Sequence, residues 1–350
     1  MVAILATGLV TSVGNGAATT CAAIRANVTN PTTTRFCAGH GDWIIGHQAE
    51  VAAGLRGADK LAVMAALAIA DCLDTAGIDV ARPMALFLCL AELDRPGRLV
   101  GVDETLIPLI EARLGMRFDR MRSRVIAAGR IGALAALAAA REVLRQPDVP
   151  HVLVAATDSL LVAGTLAALR KQERILTPEN SNGFMPGEGA GAILVALADD
   201  ATHGCPEVLG FGEGHEHSPI ISEEPLRGSG LSAAISAALF DGGAVRFESV
   251  DVRICDASGE QYGFKEAALA VGRLLRARRP NQDIWHPAEV VGEIGSAIGP
   301  VMVAIASSGL RKGLLGPGPV LIHAGTDEGR RVACVMRLRE ARRPGALRFT

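Results

Sequence analysis

The stretch with the most distinctive chemistry is Asn182-Gly183-Phe184-Met185-Pro186-Gly187-Glu188-Gly189-Ala190-Gly191. It holds one carboxylate, Glu188, among four glycines, and glycine permits positive φ or the close approach of another backbone. Such a loop suggests a phosphate cradle, but there is no Gly-Lys-Ser/Thr ending, and no helix follows. The plainer reading is a glycine turn packed on its own core, leading into a buried strand at Ala192-Ile193-Leu194-Val195-Ala196-Leu197. His215-Glu216-His217 is the one His-x-His of the chain. Alternate residues of an extended segment can share a metal, but the sequence places no third ligand, so a solvated loop is expected and no metal. The basic cluster Arg273, Arg276, Arg278 and Arg279 reads as the exposed end of a helix, where cations are favourable.

The motif from Gly183 to Gly191, with its apolar strand, resembles the Gly-Phe-Val-x-Gly-Glu-Gly-Ala-Gly signature of β-ketoacyl synthases, which have the thiolase fold. The resemblance runs, more weakly, over most of the chain. It implies a structural role near the active site for Gly183, Phe184, Gly187, Glu188, Gly189 and Gly191. Condensation in that family needs a cysteine thiolate at a helix N-terminus, where the dipole lowers its pKa, and two histidines that stabilise the enolate and the oxyanion. The matching strand-to-helix turn is Ile126-Ala127-Ala128-Gly129-Arg130-Ile131-Gly132-Ala133. With Gly132 on the family glycine, the cysteine position is Gly129; a shift by one makes it Arg130. No cysteine lies within thirty residues on either side. The first histidine position falls on Ser258, after the strand Val252-Arg253-Ile254-Cys255. The second falls on Glu293, in the turn Gly292 to Gly299. The family's glycine-rich gate has become His323-Ala324-Gly325-Thr326-Asp327-Glu328-Gly329.

The resemblance therefore implies the scaffold without the catalytic Cys-His-His set, so condensation by the family route is not expected. Ser258, Glu293, Cys255 and His323 would line the same cleft, and a hydrolase set can be imagined from them. No Gly-x-Ser-x-Gly elbow supports it. Cys255 is read as a buried strand thiol, and Ser258 and Glu293 as hydrogen-bonded plugs in a narrowed or filled cleft.

These positions must be held by an alternation of strands and helices, which argues an α/β chain with largely buried sheets. Strands are expected at Val2–Ala6 (ended by Thr7-Gly8), Met84–Leu90, Val125–Ala127, His151–Ala156, Ala192–Leu197, Pro206–Phe211, Val250–Cys255, Val320–His323 and Arg331–Leu338. Helices are expected at Ala17–Ala26, Asp59–Ala76, Asp103–Leu114, Ile131–Leu144, Gly230–Phe240, Tyr262–Arg278 and Gly299–Gly309. Residues 27–50 read as loop-rich. The polar run Asp199 to Cys205 divides the chain into halves 1–200 and 201–350, which suits the thiolase fold: two similar α/β halves forming a layered αβαβα core.

The composition narrows the function further. Aromatic residues are 3% against 49% hydrophobic, so the core must be aliphatic. With 35 basic and 37 acidic residues and no basic run interleaved with aromatics, nothing suggests a nucleic-acid surface. The seven cysteines (Cys21, Cys37, Cys72, Cys89, Cys205, Cys255 and Cys334) include no CxxC pair and read as reduced thiols of a cytoplasmic protein. There is no basic leader and no apolar run of the ~18 residues that a spanning helix needs. No cofactor is expected. The resemblance implies a catalytically inactive partner or adaptor subunit. It would act like a chain-length factor beside an active ketosynthase, or as an accessory protein in another bacterial system such as effector secretion. The competing reading is an acyl-transferring or thioester-hydrolysing enzyme with displaced residues. Partners implied are a second copy or a related subunit, with an acyl carrier protein or an effector protein as further candidates. The strand Arg124-Val125-Ile126-Ala127-Ala128 is expected to carry the dimer contact. The chain also reads as shorter than usual for chain-length factors, which would cost it pocket and cap segments.

Overall fold

The computed structural model describes residues 1–39, 42–52, 54–78, 83–279 and 281–339. The first half contains β1 (Val2–Thr11), β2 (Gly14–Asn15), α1 (Ala17–Arg25), β3 (Thr32–Gly39), β4 (Asp42–Gly46), α2 (Gly57–Ala76), β5 (Ala85–Leu90), α3 (Val102–Leu114), β6 (Arg124–Ala127), α4 (Gly132–Val143), β7 (Val152–Ser159), α5 (Ala163–Lys171) and β8 (Glu188–Leu197). The second contains β9 (Pro206–His215), α6 (Ser229–Asp241), β10 (Val252–Cys255), α7 (Gln261–Leu274), β11 (Asp283–Trp285), α8 (Ala288–Val291), α9 (Ile298–Arg311), β12 (Val320–Gly325) and β13 (Arg330–Leu338).

The main sheet runs β11-β10-β12-β13-β9-β1-β8-β7-β5-β6. Each half repeats one plan: its first strand pairs antiparallel with its last, the last antiparallel with the fourth, and the second lies parallel between the fourth and the third. The halves meet through two residue pairs, Val2 with Val208 and Ala3 with Glu207. Parallel strands joined by helical crossovers must be covered on both faces. Helices α2 and α3 cover the outer face of the first half, and α6 and α7 that of the second. Helices α4 and α9 touch strands of both halves and form the middle layer. The result is the expected αβαβα arrangement, with an aliphatic core that includes Ile4, Leu134, Leu137, Val154, Ile193, Val301 and Ile322.

Several elements differ from the sequence expectation. Strand β1 continues through Gly8 to Thr11 because Gly8 lies under α2, where a Cβ would run into the Ala68 carbonyl oxygen. Thr32–Gly39 and Asp42–Gly46 pair antiparallel as β3 and β4 where loop was expected. Helix α5 and strand β11 were not anticipated. Helix α7 stops at Leu274, and the basic cluster beyond it is partly tied down: Arg279 pairs with Asp251 and donates to the Val250 carbonyl.

The largest correction concerns the glycine motif. Its second half is not a turn: Glu188, Gly189 and Gly191 belong to β8. The positive-φ glycines do not include Gly183, Gly187, Gly189 or Gly191. Close approach is what requires glycine there. A Cβ on Gly183 would lie 2.6 Å from the Ile175 carbonyl carbon, one on Gly187 2.9 Å from Ile294 Cγ2, and one on Gly189 2.8 Å from the Val10 oxygen. One on Gly191 would overlap Pro300 of α9.

Candidate functional site: a cleft filled by ion pairs

Gly129 follows β6 and opens the turn into α4 with φ +51, a conformation that excludes most L side chains. A side chain there would project into Glu92, whose Oε2 lies 2.7 Å from an ideal Cβ. Glu92 is held by Arg95, with Nε 2.8 Å and a terminal nitrogen 2.5 Å from Oε2. Arg95 also grips Asp158 through 2.7 and 2.9 Å contacts, and Asp158 accepts the Ser296 amide at 2.8 Å. The space that a side chain at position 129 would enter is thus taken by the Glu92 carboxylate, which Arg95 holds in place.

Arg130, the next residue, reaches Asp327 at 2.7 Å, Glu293 at 3.3 Å, Asp256 at 3.4 Å and the Gly325 carbonyl at 3.0 Å. Arg174 binds Glu260 through two 2.8 Å contacts and Asp327 at 2.6 Å. Burial works against the charge of Arg130, but Asp327, Glu293 and Asp256 hold its pKa well above the ordinary value. Burial likewise pushes Asp327 up, and Arg130 and Arg174 more than reverse this, holding its carboxyl well below the usual range. Glu293 goes the other way: burial raises its pKa although Arg130 lies beside it.

The open part of the cleft is a groove of about 240 Å³ walled by Glu92, Arg95, Arg130, Leu169, Phe184 and Glu293. On the other side of Arg130 lies a recess of about 50 Å³ that Ser258 lines. The structure therefore brings Glu293 and Ser258 to opposite flanks of the residue that follows Gly129. Glu293 is hydrogen-bonded, accepting the Gly295 amide at 2.9 Å, as expected of a plug. Ser258 lines the recess with its hydroxyl unpaired within the described residues, so that part of the expectation fails. His323 and Cys255 face a further void of about 20 Å³ below. The His323 ring is buried, its Nε2 has no hydrogen-bond partner among the described residues, and desolvation lowers its pKa to about 3, with Arg253 and Arg331 adding to the effect. Desolvation pushes the Cys255 thiol up to about 12. Among the described residues no hydrogen bond links Ser258 to His323 or to Glu293, so no proton relay joins them. Cys89 packs under Gly132, and burial raises its thiol too.

The glycine motif reaches this cleft through its backbone. The Gly187 amide donates to the Glu293 carbonyl at 2.8 Å, and the Glu293 amide to Met185 at 2.9 Å. Phe184 is buried and lies 5.6 Å from the Arg174 guanidinium. Glu188 is buried in an ion pair with Lys60, and it also accepts Ser159 Oγ at 2.9 Å and the Ala49 amide at 3.2 Å. His215 and His217 stack edge to face with ring centroids 5.1 Å apart, and no metal-ligand cluster exists among the described residues. Sequence reasoning missed Glu92, Arg95, Asp158, Arg174 and Glu260. Glu92 and Arg95 lie three residues apart, but Asp158, Arg174 and Glu260 come from distant segments, and only the fold shows that these charges converge.

Residues 128–201 match the family model described as beta-ketoacyl synthase, N-terminal domain. No curated protein matches the sequence. Among solved structures, the ishigamide ketosynthase/chain length factor aligns with a TM-score of 0.77 at 16% identity over 96% of this chain and 98% of that one. A ketosynthase domain (KS7) of the Streptomyces albus JA3453 oxazolomycin system aligns at 0.76 and 12% identity, over 99% of this chain and 75% of that one. A ketosynthase in complex with its chain length factor from Xenorhabdus doucetiae aligns at 0.70 and 11% identity, over 96% of this chain and 98% of that one. The 98% coverage also corrects the expectation of missing segments, at least relative to those two chains. Its two five-stranded plans, its shared middle helices and these alignments give this chain the thiolase-type fold of ketosynthases and chain length factors.

Proposed function

We propose that this protein is a catalytically silent ketosynthase-like subunit that works through a partner, in the manner of a chain length factor or an adaptor. The observation that carries the reading is Gly129 at φ +51 with the Glu92 carboxylate in the space of its missing side chain. The proposal takes Gly129, Ser258 and Glu293 as the counterparts of the family's cysteine and two histidines. The ion pairs of Arg95, Arg130 and Arg174 then occupy the volume in which chemistry would occur. Charges that compensate one another leave no thiolate to be acylated and no free base beside one. Neighbours described as ketosynthase/chain length factor pairs, and one described as an acyl-carrier protein in complex with its ketosynthase, support a partner of that kind.

Among the described residues, strand β6 lies at the end of the sheet, paired only with β5. Its outer edge leaves unpaired backbone groups, an aggregation hazard unless covered. We place the subunit contact there, with a second copy or a related subunit. Incubation with acyl-CoA followed by intact-mass and peptide mapping should give no adduct in the 122–145 segment. An acyl adduct in that segment, or on Ser258, would replace this reading with the acyl-transfer one. Gel filtration with light scattering should show a dimer of the purified chain. A clean monomer would leave only the heterodimer, which co-purification from the native host tests.

A further inference from the structure

A second cavity, of about 520 Å³, lies away from the cleft between the β3–β4 pair, the start of α2 and the start of α5. Its floor is the Lys60–Glu188 pair, with Glu188 buried and Lys60 partly exposed. An ammonium group has three donors, and Lys60 spends one on Glu188 among the described residues. Arg35 and Arg56 stand at the rim with no carboxylate partner among the described residues; Arg56 donates to its neighbour's carbonyl at 2.7 Å, and Arg35 lies 5.0 Å from the Phe36 ring. Three cations therefore face one carboxylate. Helix α5 begins at the same cavity behind Val162, with no side-chain cap and no acidic residue in its first turn. The remaining wall includes Leu61, Leu99, Leu161 and Val162.

We propose that this cavity binds a phosphate monoester carrying a short apolar tail. A monoester carries close to two negative charges at neutral pH, which matches the excess of two cations. Guanidinium forks hold phosphate oxygens in pairs, and Lys60 supplies a point charge from below. The leucine and valine wall receives the tail. The proposal is independent of the silent cleft, since it uses none of the residues that line it.

The test is calorimetric titration of the full chain with octyl phosphate below its micelle concentration, with inorganic phosphate and octanoate as comparison probes. Octyl phosphate should bind at least tenfold more tightly than either: inorganic phosphate lacks the tail and octanoate lacks the second charge. The exposed-site double variant Arg35→Ala/Arg56→Ala should fold normally and weaken octyl phosphate at least tenfold. Val162→Asp, which adds a carboxylate at the wall, should do the same. Equal affinity for octanoate and octyl phosphate, unchanged binding in both variants, or no binding at millimolar concentration would overturn the proposal.

Discussion

Replacing Arg130 by Met tests whether the cleft is an internally compensated ion-pair cluster. The side chain is 16% exposed and is shared among Glu293 at 4%, Asp256 at 15% and Asp327 at 44%. Removing one partner of a buried pair costs about 3–5 kcal/mol because the other charge stays buried without compensation. The exposure of Asp327 and its second contact with Arg174 place the expected loss near the low end, at about 3 kcal/mol. A chain of 350 residues has an unfolding entropy of roughly 0.7 kcal/mol/K, so the melting temperature should fall by about 4 °C. The loss should also depend on pH in a defined direction. Glu293 already has a raised folded pKa, and losing Arg130 raises it further. A raised carboxylate contributes stability that is full below its unfolded pKa near ~4.3 and is lost as pH rises through the folded value. The variant should therefore be closest to wild type under mild acid and furthest from it at pH 7 to 8. Adding Glu293→Leu should recover much of the loss, since well-packed apolar groups can replace a buried pair. Denaturant melts at pH 5 and pH 8 measure all of this. A loss under about 1 kcal/mol at both pH values would mean that water, not the protein, compensates these charges.

Gly129→Cys should not create a working nucleophile: no acyl adduct should form at that residue, and stability should fall by about 1–3 kcal/mol from the left-handed φ and the clash with Glu92. Acylation after this single change would refute the account of the site. Gly191→Val should destabilise by about 3 kcal/mol or more by overpacking against Pro300, whereas Gly77→Ala, with nothing near its Cβ position, should cost less and only through its φ of +61. Equal melting temperatures for the two would sink the close-approach reading. His323 is held neutral with a pKa of about 3 and His47 with one of about 4, both through burial. The unfolded chain takes up these protons first, so their contribution is present above pH ~6.5 and is lost as pH falls towards the folded values. A His323→Gln variant should show a flatter stability profile between pH 6.5 and 4 than wild type, and an unchanged slope would exclude His323 as a cause.

Much of the fold was legible because strands such as Ala85–Leu90 and helices such as Gly57–Ala76 carry strong local patterns. What escaped has a tertiary cause. The β3–β4 pair alternates poorly, with Trp43 and Ile45 exposed, so its residues read as mixed loop. Strand β11 has three residues and pairs with a neighbour about thirty positions away, which no local window reveals. Gly8 looked like a strand end because glycine usually punctuates. Here it marks the place where a helix presses on a strand that continues.

The same distinction governs the site. The glycines of residues 183–191 were visible as an unusual cluster, but composition cannot separate a glycine needed for positive φ from one needed for close approach. The structure assigns them all to the second kind, and assigns positive φ to Gly129, which no motif had flagged for its conformation. The two observations bear on each other. Met185 and Gly187, just before β8, are locked to the Glu293 turn by backbone hydrogen bonds at 2.9 and 2.8 Å, so the wall of the cleft keeps its shape whatever side chains it presents. A framework held by backbone contacts tolerates exchange of its side chains, provided that charges are introduced in compensating sets. Arg130 with Glu293, Asp256 and Asp327, and Arg95 with Glu92 and Asp158, are such sets. Neither is recognisable one residue at a time, because the partners come from turns 3 to about 200 positions apart.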